Sequence, residues 1–295
     1  MKILKLVIAV FLLGSCNAQN NNITLKTNNT DNTLLWEISG KQLSKPSYLF
    51  GTFHLICKDD IPFGPQLKTA VKSVNEVYME LDMDDPGRLT GALQLMNMKG
   101  DTTLKSLYST EEYKKLQLFF SDSLQMPLAM FQSMKPVFLE AMLYPKMLPC
   151  KTMSGVEEEL LLLAKENKKP IQGLETMAFQ ASVFDSIPYT GQAKELLKAI
   201  DSLQAYKKYF EVMVKAYKSQ QLKKMQELLS NKDFGMEDNQ DILLDKRNKN
   251  WVTQLNTIMK KESVFIAVGA GHLVGDMGLI SLLRKEGYKV RPVEN

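Results

Sequence analysis

The sequence SVFIAVGAGHLVG, residues 263–275, carries the clearest structural signal in the chain. Its first part, Val264–Gly269, is a short apolar run with β-branched and aromatic side chains, a pattern typical of a buried strand. His272 follows just beyond the carboxyl end of this strand. In open α/β sheets, ligands and reacting groups collect at that edge. The stretch therefore predicts an α/β fold with a candidate site beside His272.

The other histidine of the chain, His54, lies in a similar setting. The run Tyr48-Leu-Phe-Gly-Thr-Phe-His54 is again a short apolar strand, a glycine and a histidine three residues later. Glycine lets the backbone turn sharply and approach another group closely. The two ends of the chain therefore share one predicted order, which is strand, Gly-x-x-His, helix and strand.

Two carboxylates belong to the same pattern. Glu76–Asp82 alternates apolar and polar side chains, as a strand does, and Glu80 lies near its carboxyl end. Lys169–Glu175 is a further short strand pattern, and it ends in Glu175. If these strands and the two histidine strands are parallel neighbours, two imidazoles and one or two carboxylates converge on one crevice.

Such a set of side chains has two chemical interpretations. Two histidines with a carboxylate bind Zn, Mn, Fe or Co and leave positions open for water and substrate. The metal lowers the pKa of that water and polarises a carbonyl group. Without a metal, a His–Glu pair acts as a general base toward water. The structural alternative is that each residue is an ordinary surface or hydrogen-bonded polar group.

A charged residue also interrupts an apolar helix face near the C-terminus. Leu244, Trp251 and Ile258 are spaced seven residues apart and mark one face of a predicted helix. Arg247 and Asn248 fall on or beside that face. A buried charge must be paired or line a polar cavity, whereas an arginine at the edge of the face extends its charged end to solvent.

The remaining patterns complete a mixed α/β fold. Leu34–Ser39 and Ser47–Phe50 predict an antiparallel strand pair that opens the sheet. Residues 88–148 are helical in pattern and rich in methionine, which predicts a large helical insertion. A helix from Gly275 to Lys285 and a last strand, Tyr288–Val293, form a closing unit of βαβ type. We therefore expect a mixed central sheet that is flanked by helices.

A local signal also predicts the start of one helix. Ser154 and Glu157 have the spacing of a capping box, in which Ser154 caps a helix that runs to Asn167. Glu157 is accordingly interpreted as a capping residue.

Composition limits the classes of partner. The chain has 37 basic and 33 acidic residues, for a net charge of +4. This balance is too mild and too evenly spread to indicate nucleic-acid binding. A hydrophobic content of 44% is that of an ordinary globular protein with a substantial core.

The N-terminus has the features of an export signal. Two lysines precede a short apolar run that ends in Leu13-Gly-Ser-Cys16, which resembles the lipobox of bacterial lipoproteins. We expect residues 1–16 to be a signal peptide, Cys16 to be lipidated, residues 17–32 to be a tether and residues 33–295 to form a single domain. The protein is then exported and lipid-anchored to the cell envelope, at the outer membrane. Cleavage after Ala18, which would give a periplasmic or secreted protein, is the alternative.

Two cysteines remain after Cys16 is set aside. Cys57 and Cys150 could pair in an oxidising envelope, but the sequence does not show whether they meet. Cys57 also follows His54 by three residues, which leaves a ligand role or an inert thiol as alternatives.

Several of these motifs together resemble a known family. The motifs are Gly51-Thr-Phe-His54, Glu80, Gly173-Leu-Glu175, Arg247-Asn248 and Gly269-Ala-Gly-His-Leu-Val-Gly275. They look like the signature of the TraB/GumN family, which includes the Tiki metalloproteases and is related in fold to erythromycin esterases and ChaN-type haem-binding proteins. The resemblance covers residues 34–293.

The resemblance implies a role for each matching residue. His54, Glu80 and His272 would hold a metal, which is Mn, Co or Zn, or its bound water. Arg247 would hold a carboxylate or an oxyanion, and it would line the crevice together with Glu175 and Asn248. Glu157 is a departure, since many relatives carry Asp at that position.

The expected function follows from the site and the resemblance together. We expect a cell-envelope, metal-dependent hydrolase that acts on a peptide or protein substrate and uses a His/Glu-bound metal to activate water. The alternative is a non-catalytic envelope lipoprotein that binds a metal, haem or a peptide in the same crevice. The sequence does not predict an oligomeric state.

Overall fold

The computed structural model describes residues 32–84, 94–231 and 239–295. The predicted signal peptide, Cys16 and nearly all of the predicted tether lie outside these residues, as do residues 88–93 of the predicted helical segment. The chain divides into two compact units, and the expectation of a single domain over residues 33–295 stays a prediction. In the described residues, the sheet unit comprises 32–84, 150–175, 212–231 and 239–295, and the helical unit comprises 94–149 and 176–211.

A mixed sheet forms the framework of the sheet unit. Among the described residues, six strands form it in the order β6-β4-β7-β2-β1-β8, and a separate ribbon pairs β3 with β5. The strands are β1 Leu35–Ser39, β2 Ser47–Thr52, β3 Ile56–Cys57, β4 Glu76–Leu81, β5 Met153–Ser154, β6 Ile171–Glu175, β7 Val264–Gly269 and β8 Lys289–Val293.

The described residues also form helices, which lie in the segments between the strands. They are α1 Pro65–Ser73, α2 Leu104–Leu107, α3 Thr110–Leu124, α4 Pro136–Ala141, α5 Tyr144–Met147, α6 Val156–Glu166, α7 Met177–Asp185, α8 Tyr189–Asp201, α9 Leu203–Lys218, α10 Leu222–Leu229, α11 Lys246–Lys261 and α12 Leu279–Lys285. Short 3-10 turns occupy Lys58–Asp60, Leu128–Phe131 and Ala270–His272, and a π-helical turn, Asp241–Asp245, leads into α11. In the described parts of the chain, no helix is both long enough and apolar enough to cross a membrane.

Four neighbouring strands of the sheet run in the same direction. β2 pairs with β7, β7 with β4, and β4 with β6, and all three pairings are parallel. All six residues of β7 are buried, as expected for a strand that is covered on both faces. The predicted α/β fold with a mixed sheet is therefore confirmed, and the carboxyl ends of these four strands lie along one edge.

The other side of the sheet is antiparallel. β1 pairs with β2 and with β8, so the predicted antiparallel opening pair is confirmed. β8 runs in the same direction as β7 but is separated from it by β2 and β1. The helix between them begins at Leu279 rather than Gly275. The prediction was wrong there because Gly275 adopts a positive φ of 84°, which belongs to a turn.

The helical unit packs short helices around aromatic and methionine side chains. Ser109 caps α3, and its capping box with Glu112 is formed. A buried ion pair joins Lys135, which is 1% exposed, to Asp185 at 2.8 Å. Lys135 also donates to the backbone carbonyl of Leu95, so its buried charge is well compensated.

The small β3–β5 ribbon lies next to the sheet unit's helix α6. Cys57 in β3 forms a disulfide with Cys150, just before β5. The open question of their pairing is answered, and a ligand role for Cys57 is wrong. The predicted Ser154 cap is also wrong, because Gly155 is the residue that precedes α6. The Ser154 hydroxyl instead donates to Glu159 at 2.8 Å.

Candidate active site

The carboxyl edge of the four parallel strands brings the predicted site residues together. Glu175 is the last residue of β6, and Glu80 lies near the end of β4. His272 and His54 follow β7 and β2, which are paired up to Thr52 and Gly269. The parallel register therefore places two imidazoles and two carboxylates side by side. Helix α11 contributes Arg247 and Asn248 to the same edge.

Arg247 lies at the centre of a closed cluster. Its side chain is 1% exposed, so the alternative of a solvent-directed arginine is wrong. Nε and Nη2 donate to the Glu175 carboxylate at 2.7–3.1 Å, and Nη2 also donates to Glu80 Oε2 at 2.7 Å. Nη1 donates to the Leu243 carbonyl at 3.0 Å and lies 3.1 Å from His272 Nε2. All five N–H donors of the guanidinium are thus engaged by described residues.

The charges in this cluster stabilise each other. Burial alone would lower the pKa of Arg247, but Glu80 and Glu175 raise it above its ordinary value. Burial alone would raise the pKa of Glu80, whereas Arg247 and the two histidines, with the Gly269 N–H, lower it to about 2. Glu80 is therefore a carboxylate and Arg247 a guanidinium at any physiological pH.

Asn248 determines the tautomer of His272. The Asn248 side-chain NH₂ donates to the backbone carbonyls of His272 and Met277, at 3.2 and 2.9 Å. Its Oδ1 is therefore an acceptor, and the His272 Nδ1 that lies 2.7 Å away carries the proton. Nε2 of His272 then accepts from Arg247. Burial, together with the nearby Arg247, lowers the pKa of His272 to about 3, so this imidazole is neutral.

A second pair, which joins His54 to Glu157, lies beside the cluster. His54 Nδ1 is 2.7 Å from Glu157 Oε1, and the Thr52 hydroxyl donates to the same oxygen at 2.6 Å. Burial alone would lower the pKa of His54, but Glu157 outweighs it and raises that pKa above its ordinary value. Burial alone would raise the pKa of Glu157, but His54 and Thr52 lower it. A carboxylate at Nδ1 holds the proton there, as in other histidine bases.

The contact of Glu157 with His54 is the feature of the site that sequence reasoning missed. The capping-box spacing from Ser154 suggested a local partner, whereas the actual partners are His54 and Thr52 on the β2 side of the site. One signal was available, because the family resemblance implied an Asp at this position.

Gly269 marks the point where the cluster and the pair meet. A Cβ at this position would lie 3.4 Å from Glu80 Oε1, 3.7 Å from the His272 ring and 3.9 Å from His54 Nε2. The Gly269 N–H also donates to Glu80 Oε1 at 2.8 Å. Any side chain here would project into the crevice, which explains the glycine at the end of β7.

The two groups of residues differ in their access to solvent. The side chains of Arg247, Glu175 and His272 are 1%, 1% and 2% exposed. Those of His54, Glu80 and Glu157 are 5%, 11% and 11% exposed. The His54–Glu157 pair and Glu80 are therefore slightly more exposed than the rest of the cluster.

The arrangement does not fit a bound metal ion as it stands. Two imidazoles and a carboxylate are suitable donor types. However, no group of three His, Cys, Asp or Glu side chains within residues 32–84, 94–231 and 239–295 is arranged to hold a metal. The physical reason is that Arg247 occupies the donor atoms, since its Nη1 and Nη2 lie against His272 Nε2 and Glu80 Oε2. A divalent cation there would be placed beside a positive guanidinium.

Comparison with known proteins agrees with this architecture. The model of the TraB/PrgY/gumN family matches residues 34–292. The chain is also similar to a Danio rerio protein named metalloprotease TIKI2, with 21% identity over 315 aligned residues. The alignment covers 88% of this chain and 60% of the relative, so the chain spans less than two thirds of that protein's length. No solved structure matches the chain. The family match covers nearly all of the described residues, and the chain belongs to the TraB/PrgY/gumN family.

Proposed function

We propose that the protein is a hydrolase in which His54, held by Glu157, activates water for attack on a peptide or similar amide bond. One observation carries the proposal. His54 Nδ1 lies 2.7 Å from the Glu157 carboxylate, while Nε2 lies on the side of the ring toward Gly269 and Glu80. This is the arrangement of a histidine general base with an orienting carboxylate.

The proton transfers follow from this arrangement. Glu157 keeps a proton on Nδ1, which makes Nε2 the basic nitrogen that takes a proton from water. The imidazolium that forms is stabilised by the same carboxylate. It can then return the proton to the leaving amine. Because the pKa of His54 is raised above its ordinary value of 6.5, activity should increase as the pH rises through that raised value.

The closed cluster has a positioning role in this proposal. Every N–H of Arg247 is engaged by described residues, so binding a substrate oxyanion would require one of these contacts to break. Arg247 and the Gly269 N–H instead hold Glu80 as a carboxylate at the solvent-facing edge. There it can accept a hydrogen bond from the attacking water or from the substrate's N–H.

Metal dependence is supported by the relative and not by the geometry. The Danio rerio protein is named a metalloprotease, and the family resemblance implies Mn, Co or Zn as the cations to test. Because Arg247 occupies the donor atoms, no step of the proposed reaction passes through a metal.

The location in the envelope is part of the same proposal. The apolar N-terminal run and the lipobox-like Cys16 support export and a lipid anchor in the membrane. The Cys57–Cys150 disulfide supports an oxidising compartment.

Peptide cleavage by the chain without its first 18 residues tests the function. The parent and a His54→Ala variant would be assayed on a peptide mixture by mass spectrometry, after chelation and with added Mn, Co or Zn. We expect cleavage by the chelated parent and a loss of about 10²–10⁴-fold in the variant.

Two other outcomes change the conclusion. Cleavage only after metal addition would show that Arg247 must move, and it would replace the metal-free step. The absence of cleavage from a broad peptide mixture under every condition would contradict the proposal and favour the non-catalytic binding protein.

A further inference from the structure

We propose that the Cys57–Cys150 disulfide positions the His54–Glu157 pair, so that its reduction by a dithiol separates the two side chains. The catalytic consequence of this inference rests on the proposed function. The geometric claim, that reduction separates His54 from Glu157, does not. It makes Cys57 and Cys150 positioning residues, which act through the general base rather than on the substrate.

The disulfide joins the two segments that carry the pair. His54 precedes Cys57 by three residues, and Glu157 follows Ser154 of β5 by three. The bridge connects positions 93 residues apart in the sequence, with a Cα–Cα distance of 5.8 Å. A covalent link between distant segments therefore lies three residues from His54 and seven residues from Glu157, the two partners of the 2.7 Å contact.

Non-covalent bonds also join these segments, among them the Lys58–Glu159 ion pair at 2.8 Å and the Thr52–Glu157 hydrogen bond at 2.6 Å. The β3–β5 ribbon has two residue pairs, Ile56 with Ser154 and Cys57 with Met153. Backbone hydrogen bonds extend it at each end, from Lys58 to Thr152 at 3.1 Å and from Val156 to Phe53 at 3.0 Å. A two-stranded ribbon of this length is at most marginally stable by itself. The disulfide adds a covalent link to a ribbon that is otherwise held by non-covalent bonds.

His54 also lies beyond the support of the main sheet. The pairing of β2 with β7 ends at Thr52, two residues before His54. On the other segment, a Cβ on Gly155 would lie 2.8 Å from the His54 carbonyl oxygen and 3.3 Å from Glu157 Oε2. The turn into α6 is thus packed directly against the histidine's backbone, so a small separation of the segments changes the distance between the side chains.

The bridge is accessible to a reductant at one end. Cys57 is 7% exposed, whereas Cys150 is partly exposed. A dithiol can attack one sulfur through its thiolate, release the other as a thiol, and then close its own disulfide. Two electrons and two protons pass to the protein, which gives two thiols, and the dithiol is oxidised.

Imidazole nitrogen NMR can test the geometry without any substrate. The chain has 2 histidines, so each gives a separate ¹⁵N signature, and a His54→Gln variant assigns them. The samples are the oxidised parent, the dithiol-reduced parent and a Cys57→Ser/Cys150→Ser variant, all at one pH and with chelator. We expect the protonated Nδ1 signal of His54 to become averaged between tautomers in the last two, while that of His272 stays unchanged.

The unchanged His272 signal reports that the fold persists. Val290→Ala, which creates a cavity beside β8 and away from the bridge, is the control for general destabilisation. The His54 signal of this variant should be the same as in the parent. If the double variant does not fold, the reduced parent provides the same comparison. A His54 signal that is unchanged when thiol titration shows the bridge to be open would overturn the proposal.

An activity measurement adds the catalytic consequence. Reduction of the parent should lower kcat by about 10- to 100-fold with a smaller change in KM, because misplacement by about 1 Å has effects of that size. Reoxidation should restore kcat, and the double variant should not respond to dithiol. Unchanged kcat after complete reduction would also overturn the proposal. If no peptide is cleaved at all, the proposed function fails and the NMR result still decides the geometric claim.

Discussion

The closed cluster around Arg247 and the His54–Glu157 pair lie along one sheet edge but have different electrostatic designs. In the cluster, one guanidinium is shared by two carboxylates and a neutral histidine, and its side chain is 1% exposed. In the pair, one histidine faces one carboxylate, and their side chains are 5% and 11% exposed. The cluster's charges are fixed at physiological pH, whereas the pair contains a histidine whose pKa is raised above its ordinary value.

The pKa values of the two histidines differ because their surroundings differ. His272 lies beside Arg247, and burial with that positive neighbour lowers its pKa to about 3. His54 lies beside Glu157, and that negative neighbour raises its pKa. The pKa values of two histidines in similar Gly-x-x-His turns are thus shifted in opposite directions, that of His272 downward mainly by burial and that of His54 upward by Glu157. Of the two, His54 is the better proton acceptor because its pKa is the higher.

Removing the central charge should have the largest effect. Arg247→Met leaves Glu80 and Glu175 buried without their cation, so we expect the free energy of unfolding to fall by about 3–5 kcal/mol. Denaturant unfolding monitored by circular dichroism would measure it. Arg291→Met is the control, because Arg291 pairs with Glu37 but is 68% exposed. That change should cost less than about 1 kcal/mol. Equal losses in the two variants would contradict a special role for the cluster.

The pH dependence of stability should separate the two histidines. Unfolded His272 binds a proton near its ordinary pKa of 6.5, but folded His272 does so only near 3. The unfolded state therefore binds more protons in this window, and the free energy of unfolding falls as the pH is lowered from 6.5 toward 3, by at most about 1.4 kcal/mol per pH unit. His54 has the opposite sign, because its raised pKa adds stability below 6.5 that is lost as the pH rises through the folded value.

Single substitutions assign these two effects. His272→Gln should flatten the acidic slope of stability against pH, and His54→Gln should flatten the decline at higher pH. Urea unfolding at a series of pH values would measure both. If either variant kept the parent's profile, the corresponding pKa shift would be wrong.

Loss of the residue that orients His272 should have a smaller effect. Asn248→Ala leaves the Nδ1 proton of His272 and two backbone carbonyls without their partner, which should cost about 1–3 kcal/mol. The ¹⁵N signature of His272 should then lose its single tautomer while that of His54 is retained. Asn256→Ala, at a more exposed position of the same helix, is the matched control. A His272 signature like that of the parent would show that Arg247 alone sets the tautomer.

Much of the fold and the site edge could be predicted from local patterns. The bounds of β7 agree with the apolar run Val264–Gly269 because a fully buried strand leaves a continuous signal. Glu80 and Glu175 could be placed because each lies at or near the end of such a strand. The apolar stripe on α11 likewise marked Arg247 as a residue that needs partners.

The remaining features depend on contacts between distant segments. Glu157 has a local pattern that indicates a cap, and only the fold brings it to His54, 103 residues earlier in the sequence. The pairing of Cys57 with Cys150 depends on the same approach of two segments. The full engagement of Arg247 by its neighbours is also invisible in sequence, where the same residues indicate a metal site.

The most direct test of the central claim is the pH profile of kcat/KM for the parent, Glu157→Gln and Glu158→Gln. Glu158 is the neighbour of Glu157 in α6 and contacts Ser154 instead of His54. The account predicts that Glu157→Gln lowers kcat/KM by about 10²–10⁴-fold and moves the acidic limb to lower pH, while Glu158→Gln stays within about twofold of the parent. A Glu157→Gln profile that matches the parent in height and in its acidic limb would contradict the assignment of His54–Glu157 as the base.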